Sequence, residues 1–119
     1  FAYRRPVDLR KGFEGLSALV REALALDPLS GALYLFTNQR RTTAKVLHFD
    51  GTGLGLYIKK LARGRFAALW DDSAPASLSL TRTELDLFLQ GSHLVGKMAL
   101  APAPMSEKEL VIRARGDHG

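Results

Sequence analysis

Three apolar runs of strand length, separated by short polar turns, constrain the fold of this chain more than any other feature. The runs cover residues 32–36, 44–50 and 54–61. The turns between them, at residues 38–41 and 50–53, are too short for a crossover connection, so neighbouring runs can pair only in antiparallel fashion. The sequence therefore predicts an antiparallel meander of three strands, with residues 66–70 as a weaker fourth strand.

The second hairpin determines which side chains share a face of this sheet. Pairing Phe49 with Leu54 across the turn sets the register, because side chains alternate between the two faces of a strand. One face is mostly apolar, is predicted to be the core, and carries Lys45, Leu47, Phe49, Leu54, Leu56 and Ile58. The other face is predicted to meet solvent or a ligand, and carries Val46, His48, Gly55, Tyr57 and Lys59.

Helices are predicted on both sides of the strands in the chain. Apolar side chains recur at spacings of three and four after Asp8, which indicates an amphipathic helix that Asp8 caps and that ends near Leu26. Thr81 and Glu84 have the spacing of a capping box, and Gly91 is the expected stop of a short second helix.

These elements predict one domain of the α+β class, covering residues 1–92. In it, the N-terminal helix packs on a three- to four-stranded antiparallel meander, and the short C-terminal helix follows. Residues 93–119 include the linker-like segment Ala101-Pro102-Ala103-Pro104 and are assigned to a C-terminal tail outside this domain.

Positive charge is concentrated in the first half of the chain. The whole chain has 17 lysines and arginines against 12 aspartates and glutamates, a net charge of +5. Residues 1–65 carry twelve basic and five acidic side chains, a net +7, and residues 66–119 carry a net −2. Such an excess attracts polyanions through Coulomb forces and counterion release, although charge alone is equally compatible with a solvated basic surface.

The composition also excludes several classes of protein. The chain has no cysteine, which excludes disulfides, thiolate metal sites and a cysteine nucleophile. No uncharged apolar stretch approaches the roughly 20 residues that a membrane span needs. The first residues lack the apolar core of a secretory signal. The chain is therefore expected to be cytoplasmic, without membrane contact.

A metal-dependent nuclease is the one enzymatic alternative that the residues suggest. His48 and Asp50 lie two apart on a predicted strand and could join Asp8 in binding a divalent metal for phosphodiester cleavage. The competing interpretation is that Asp50 accepts hydrogen bonds from the amides of its own turn. Because a His-x-Asp pair is common by chance, we expect no enzyme and no cofactor.

Nucleic-acid binding has more support, because basic side chains alternate with aromatic ones along the predicted strands. Cations contact phosphates and aromatic rings stack on bases. In the competing interpretation the hairpin arginines are solvated and Arg10 pairs with Glu14 one helical turn away. The predicted nucleic-acid contacts are Arg10, Lys11, Arg40, Arg41, Lys45, Tyr57, Lys59, Lys60, Arg63 and Arg65.

Five segments of the chain resemble, in the same order, the motifs of a known family. Residues 7–16 (VDLRKGFEGL) resemble (T)DMRKGFDGL, and residues 33–41 (LYLFTNQRR) resemble LFVFRNRRR. Residues 45–53 (KVLHFDGTG) resemble KLLYWDGDG, and residues 56–66 (LYIKKLARGRF) resemble LWYKRLERGRF. Residues 80–91 resemble a closing LT…EL…LL.G helix. The family that the chain resembles is the accessory protein (Orf2-like, TnpB) of IS66-type bacterial insertion sequences.

This resemblance covers about residues 7–92 and implies a helper of transposition that is not itself a catalyst. In such elements a separate, larger transposase carries the catalytic residues. The expected partners are therefore the DNA of the element and the transposase encoded beside it, with the protein binding the DNA, bridging it to the transposase, or both. The alternative is a pure protein-interaction module that docks on the transposase or on a second copy of itself, without direct contact with DNA.

Overall fold

The computed structural model of the protein describes residues 1–92, which form one sheet and two helices. The strands are β1 (Ala2–Tyr3), β2 (Leu33–Thr37), β3 (Thr43–Phe49), β4 (Leu54–Lys60) and β5 (Ser77–Leu78). The helices are α1 (Phe13–Glu22) and α2 (Arg82–Leu89), and neither has the length and apolarity needed to cross a membrane. The predicted α+β class is confirmed, and the assigned tail, residues 93–119, lies outside the described residues.

The strands follow the order β4-β3-β2-β1-β5 across the sheet. The antiparallel pairs β2–β3 and β3–β4 confirm the predicted meander. The purely antiparallel sheet is corrected to a mixed one, because β1 pairs with β2 in parallel. β1 and β5 each have only two residues, which is too short to produce a recognisable alternation of polar and apolar side chains.

The register of the second hairpin is as predicted. Phe49 lies opposite Leu54 and Lys45 lies opposite Ile58, and the seven pairs follow one another without a bulge. Because the alternation of side chains follows from this register, Lys45 and Leu47 lie on the same face of the sheet, the one that contacts α1.

Both faces of the sheet centre are buried, so the prediction of an open second face is wrong for Val46, whereas Gly55 and Tyr57 on the same face are exposed. The first face holds one apolar cluster, which includes Leu16, Val20, Tyr34, Phe36 and Leu47. The second face holds another, which includes Leu35, Ala44, Val46, Phe66 and Phe88. The rings of Phe66 and Phe88 stack with their centroids 5.0 Å apart. The second face is covered because α2 and the segment around Phe66 fold back over it.

The segment at residues 66–70 is extended but does not form the predicted fourth strand. Its first amide, that of Phe66, donates to the carbonyl of Arg41 at 2.7 Å. After that contact the segment is anchored by its side chains, since Phe66, Ala67 and Leu69 are buried against the second face. A segment that lies across a sheet face cannot also extend the sheet at its edge.

Helix α1 is shorter than predicted, and Asp8 does not cap it. The N-cap position is Gly12, which offers no side-chain hydrogen bond. The Asp8 carboxylate instead accepts from the amide and the guanidinium of Arg10, within a turn closed by the amide of Lys11 on the Asp8 carbonyl. At the other end the chain leaves the helix at Ala23 and reverses through Ala25, which has a φ of 55°.

Helix α2 has the predicted ends. The Thr81 hydroxyl accepts from the amide of Glu84 at 3.1 Å, and the Glu84 carboxylate accepts from the amide of Thr81 at 2.8 Å. Gly91 adopts a φ of 83°, its amide donates to Phe88, and the next amide donates to Leu87. These two bonds form a Schellman motif, which requires the left-handed conformation that glycine adopts at little cost.

We expect Thr81→Ala to lower the free energy of unfolding by about 1 kcal/mol, because the mutation leaves first-turn amides of α2 without an acceptor. Urea denaturation of the two proteins measures this loss. Thr83→Ala is the matched control, since Thr83 is exposed and has no hydrogen bond from its side chain among the described residues. An equal loss in both variants would contradict the capping explanation.

Candidate nucleic-acid interface

Four segments of the chain bring basic side chains to one end of the sheet, the end at which β2 leads into β3. We call this region the basic end. It contains nine of the ten residues predicted to contact nucleic acid: Arg10, Lys11, Arg40, Arg41, Lys45, Lys59, Lys60, Arg63 and Arg65.

The β2–β3 turn and the last residues of β4 meet through the sheet itself. Lys60 lies opposite Thr43, and the amide of Leu61 extends the ladder by donating to the carbonyl of Thr42 at 2.9 Å. The turn that carries Arg40 is shaped by Asn38, whose side-chain oxygen accepts from the amides of residues 42 and 43. This role of Asn38 was not predicted, although an asparagine that begins a hairpin loop is a typical signal for it.

The loop after β4 adds two more cations beside the same turn. Arg63 and Arg65 are exposed on either side of Gly64, which has a φ of 72°. The loop ends where the amide of Phe66 donates to the carbonyl of Arg41, so its two ends both contact the β2–β3 turn. Arg41 itself has a φ of 59° and is half-buried, with its guanidinium 3.4 Å from the Phe66 carbonyl.

The segment before α1 reaches the basic end through two contacts with the sheet. The amide of Val7 donates to the carbonyl of Thr37 at 3.0 Å. The ammonium of Lys45 donates to the carbonyls of Leu9 at 2.6 Å and of Lys11 at 3.2 Å. Lys45 therefore stabilises the turn that carries Arg10 and Lys11. Its ammonium is bonded within the protein and is not one of the cations left free for a ligand.

Most cations at the basic end have no acidic partner within the described residues. Arg10 is the exception, because its guanidinium lies 2.7 Å from the carboxylate of Asp8, and not beside Glu14 as the competing interpretation had it. Hydrogen bonds from Arg10 hold the pKa of Asp8 well below its ordinary value. The other ion pairs described use cations outside the basic end: Arg4–Asp71, Arg5–Asp72 and Arg82–Asp86.

Arg4 and Arg5 differ from most cations at the basic end, because their guanidiniums are bonded to backbone carbonyls within the fold. Arg4 is 6% exposed, and its Nε donates to the carbonyl of Leu69 at 2.9 Å. Arg5 donates to the carbonyls of Asp71 and Ala74. These two guanidiniums stabilise the loop before β5, whereas Arg40, Lys60, Arg63 and Arg65 project into solvent.

Tyr57, the tenth predicted contact, lies outside the basic end. It occupies the middle of β4, opposite Val46 and three residues before Lys60. Its side chain is 54% exposed and lines an open groove of about 680 Å³ between β4 and α2. Lys59 lines the same groove, so this residue of the basic end is the one that lies beside Tyr57.

The residues of the nuclease alternative do not form a metal site. Asp50 accepts hydrogen bonds from the amides of Thr52 and Gly53 at 2.9 and 3.0 Å, as the competing interpretation predicted, and these bonds lower its pKa. Asp8 lies at the basic end, whereas Asp50 lies in the β3–β4 turn at the opposite end of the sheet. Within residues 1–92 no three histidines or carboxylates are grouped so that they could hold a metal ion.

The sequence of this domain matches a known family model. The model for the IS66 Orf2 like protein matches residues 1–98. The chain belongs to this family, whose members are accessory proteins of insertion sequences associated with transposition.

Two curated relatives come from Sinorhizobium fredii (strain NBRC 101917 / NGR234), and both are named as uncharacterized proteins. Protein y4hO is 36% identical over 84 residues, which cover 71% of each chain. Protein y4jC is 33% identical over 87 residues, which cover 73% of each chain. No solved structure matches the chain significantly.

We expect Lys45→Met to lower the free energy of unfolding by about 1–2 kcal/mol, because the carbonyls of Leu9 and Lys11 lose a charged donor while the aliphatic stem is kept. Lys60→Met is the matched control. Lys60 is exposed on β4, and we expect its replacement to change stability by less than about 0.5 kcal/mol. Urea denaturation distinguishes the two, and equal effects would show that Lys45 does not hold the turn.

Proposed function

We propose that this accessory protein binds DNA through the basic end and so supports transposition of its element. The observation that carries the proposal is the meeting of cations from four separate chain segments at one end of the sheet. Six of the nine have neither an ion pair within the described residues nor a side-chain hydrogen bond like those of Lys45 and Arg41: Lys11, Arg40, Lys59, Lys60, Arg63 and Arg65.

The charges toward the opposite end of the sheet support a directed attraction. Asp50 lies in the β3–β4 turn, and Asp27 precedes β2, where its backbone carbonyl accepts from the hydroxyl of Tyr34. Because Arg82 also lies toward that end, beside Phe1 and the start of β2, its charges are mixed, whereas cations predominate at the basic end, so an approaching polyanion is attracted preferentially to the basic end. Charge separation of this kind accelerates encounter and fixes orientation.

The chemistry of the basic end favours contact with the phosphate backbone. Its exposed groups are guanidiniums and ammoniums on turns and strand ends, and none of its nine basic residues lies within α1 or α2. Contacts to phosphates fix register and orientation and carry no sequence information of their own. We therefore expect binding that depends strongly on salt and weakly on sequence.

We expect the double variant Lys59→Ala/Lys60→Ala to bind duplex DNA more weakly. The slope of log K against log salt concentration should fall by roughly 2, because each phosphate contact contributes about 0.9 to that slope. Fluorescence anisotropy with a labelled duplex, titrated at several salt concentrations, measures both quantities.

The matched control for this test is Arg21→Ala/Arg82→Ala, which removes two charges elsewhere. Arg21 lies in the last turn of α1, and Arg82 begins α2 beside Phe1 and the start of β2. We expect this control to leave the salt slope unchanged. Absence of binding by the parent protein at low salt, or equal weakening in both variants, would refute binding through the basic end.

We expect Asp8→Asn to strengthen DNA binding, because it removes the carboxylate that pairs with Arg10 and leaves that guanidinium free for phosphate. The depressed pKa of Asp8 keeps the carboxylate charged as the pH falls through its ordinary range, so in the parent protein the pair persists in mildly acidic buffer. The same anisotropy titration measures the gain. Glu22→Gln, at the far end of α1, is the control with the same charge change.

The transposase of the element is a second candidate partner, favoured by exposed apolar surface. Phe13, at the start of α1 and near the basic end, is 46% exposed. In this alternative the basic end meets acidic side chains of the transposase. Co-purification of the two proteins with and without nuclease treatment separates the candidates, because an association bridged by DNA is lost on digestion and a direct one is retained.

A further inference from the structure

Within residues 1–92, the outer edge of β4 is an unpaired strand edge. β4 is the terminal strand of the sheet, and its seven residues pair one-to-one with β3 on the inner side. It contains no proline and no bulge, which are common devices that prevent one edge from pairing with another. An edge of this length can therefore accept another strand.

The ladder shows which backbone groups point outward. The bonds from Asp50 to Gly53 and from Leu61 to Thr42 mark hydrogen-bonded pairs at the two ends of the hairpin. Because such pairs alternate along an antiparallel ladder, residues 55, 57 and 59 bond to β3. The amides and carbonyls of residues 54, 56, 58 and 60 then point away from the sheet, and none has a backbone partner within residues 1–92.

Large apolar side chains lie along this same edge. Tyr57 on the α2 side is 54% exposed, and Ile58 on the α1 side is 56% exposed. These two neighbours are among the five large hydrophobic residues that the described part of the chain leaves exposed. A strand added at this edge would cover both of them, one on each face.

Charge along the edge selects the direction of the added strand. The edge begins beside the turn that contains Asp50 and ends at Lys59 and Lys60. If a second β4 pairs in antiparallel fashion, the lysines of each strand lie beside the Asp50 turn of the other strand. A parallel arrangement would place the two lysine pairs side by side, which is unfavourable.

We propose that two copies of this protein associate through antiparallel pairing of β4 with β4, centred on Tyr57. This register lets all seven residues of each strand pair and provides about eight backbone hydrogen bonds. Tyr57 then lies opposite Tyr57 of the second copy, and Leu56 lies opposite Ile58 of the second copy. The inference rests on the sheet and not on DNA binding, and it gives Tyr57 a role in the dimer.

The mass of the full chain in solution gives the first test. We expect light scattering after size exclusion, without DNA, to show a monomer–dimer equilibrium with a Kd of about 10–100 µM, because the paired surface is small. A monomeric mass at all concentrations up to about 1 mM would mean that the edge stays free or is covered within one chain, and would overturn the proposal.

Two substitutions at one position test whether the edge carries the association. Ile58→Pro removes an outward amide and leaves the bonds to β3 in place, and Ile58→Lys adds a charge to the edge. We expect each to raise the dimer Kd by about tenfold or more. Leu29→Lys is the matched control, since Leu29 is 54% exposed and lies outside the sheet. Circular dichroism verifies folding, and a dimer unaffected by both Ile58 variants would overturn the proposal.

A cross-link tests the register directly, because the chain has no cysteine of its own. In the proposed register the two residues at position 57 form a pair without hydrogen bonds, with Cα atoms about 4.5 Å apart, which is within the range of a disulfide. We expect Tyr57→Cys to form a disulfide-linked dimer under mild oxidation. The yield of this dimer should be at least tenfold lower for Leu29→Cys. Equal cross-linking by both variants, or none at position 57, would overturn the register.

Discussion

The structure depends on the burial of β3 from both sides. Ala44 and Val46 point into one apolar cluster and Leu47 into the other, so the strand must lie between two layers. α1 covers the first face, and α2 with the segment around Phe66 covers the second. Once both faces at the centre of the sheet are covered, the surfaces that residues 1–92 leave open on the sheet are its ends, its outer edge and the groove between β4 and α2.

The basic end is held together by contacts between residues that lie far apart in the sequence. The carbonyl of Arg41 receives the amide of Phe66, and the ammonium of Lys45 reaches back to Leu9 and Lys11. Each contact gives a hydrogen bond to a polar group that loses water on folding. Each also brings another cation to the basic end. The same hydrogen bonds thus stabilise the turns and concentrate positive charge at the basic end.

The two proposed surfaces overlap at the end of β4. The basic end lies where β4 finishes, and the free edge lies along its length, with Lys59 and Lys60 common to both. In an antiparallel dimer the two basic ends would lie at opposite ends of β4 and would leave their arginines accessible. Such an arrangement presents two cationic surfaces to two stretches of polyanion without requiring any residue to change its contacts in the fold.

Residue spacing was sufficient to predict the elements whose contacts join residues close together in the chain. The register from Phe49 to Leu54, the capping box of Thr81 and Glu84, and the Gly91 stop follow from spacing alone, because each involves residues close together in the chain. Asp8 shows the limit of such predictions. It has the features of a helix cap, but the nearby Arg10 competes for its carboxylate and Lys45 fixes the turn.

The amino-acid sequence by itself determined the α+β class, the meander, the family and the identity of the basic side chains, since these depend on periodicity, turns and motif order. Only the tertiary structure decided that the second sheet face is covered, that β1 joins in parallel, and that the cations meet at an end of the sheet while Tyr57 lies apart from them. The physical reason is that these features arise from contacts between residues far apart in the chain, such as Phe66 with Phe88 and Lys45 with Leu9. No local pattern encodes such pairings.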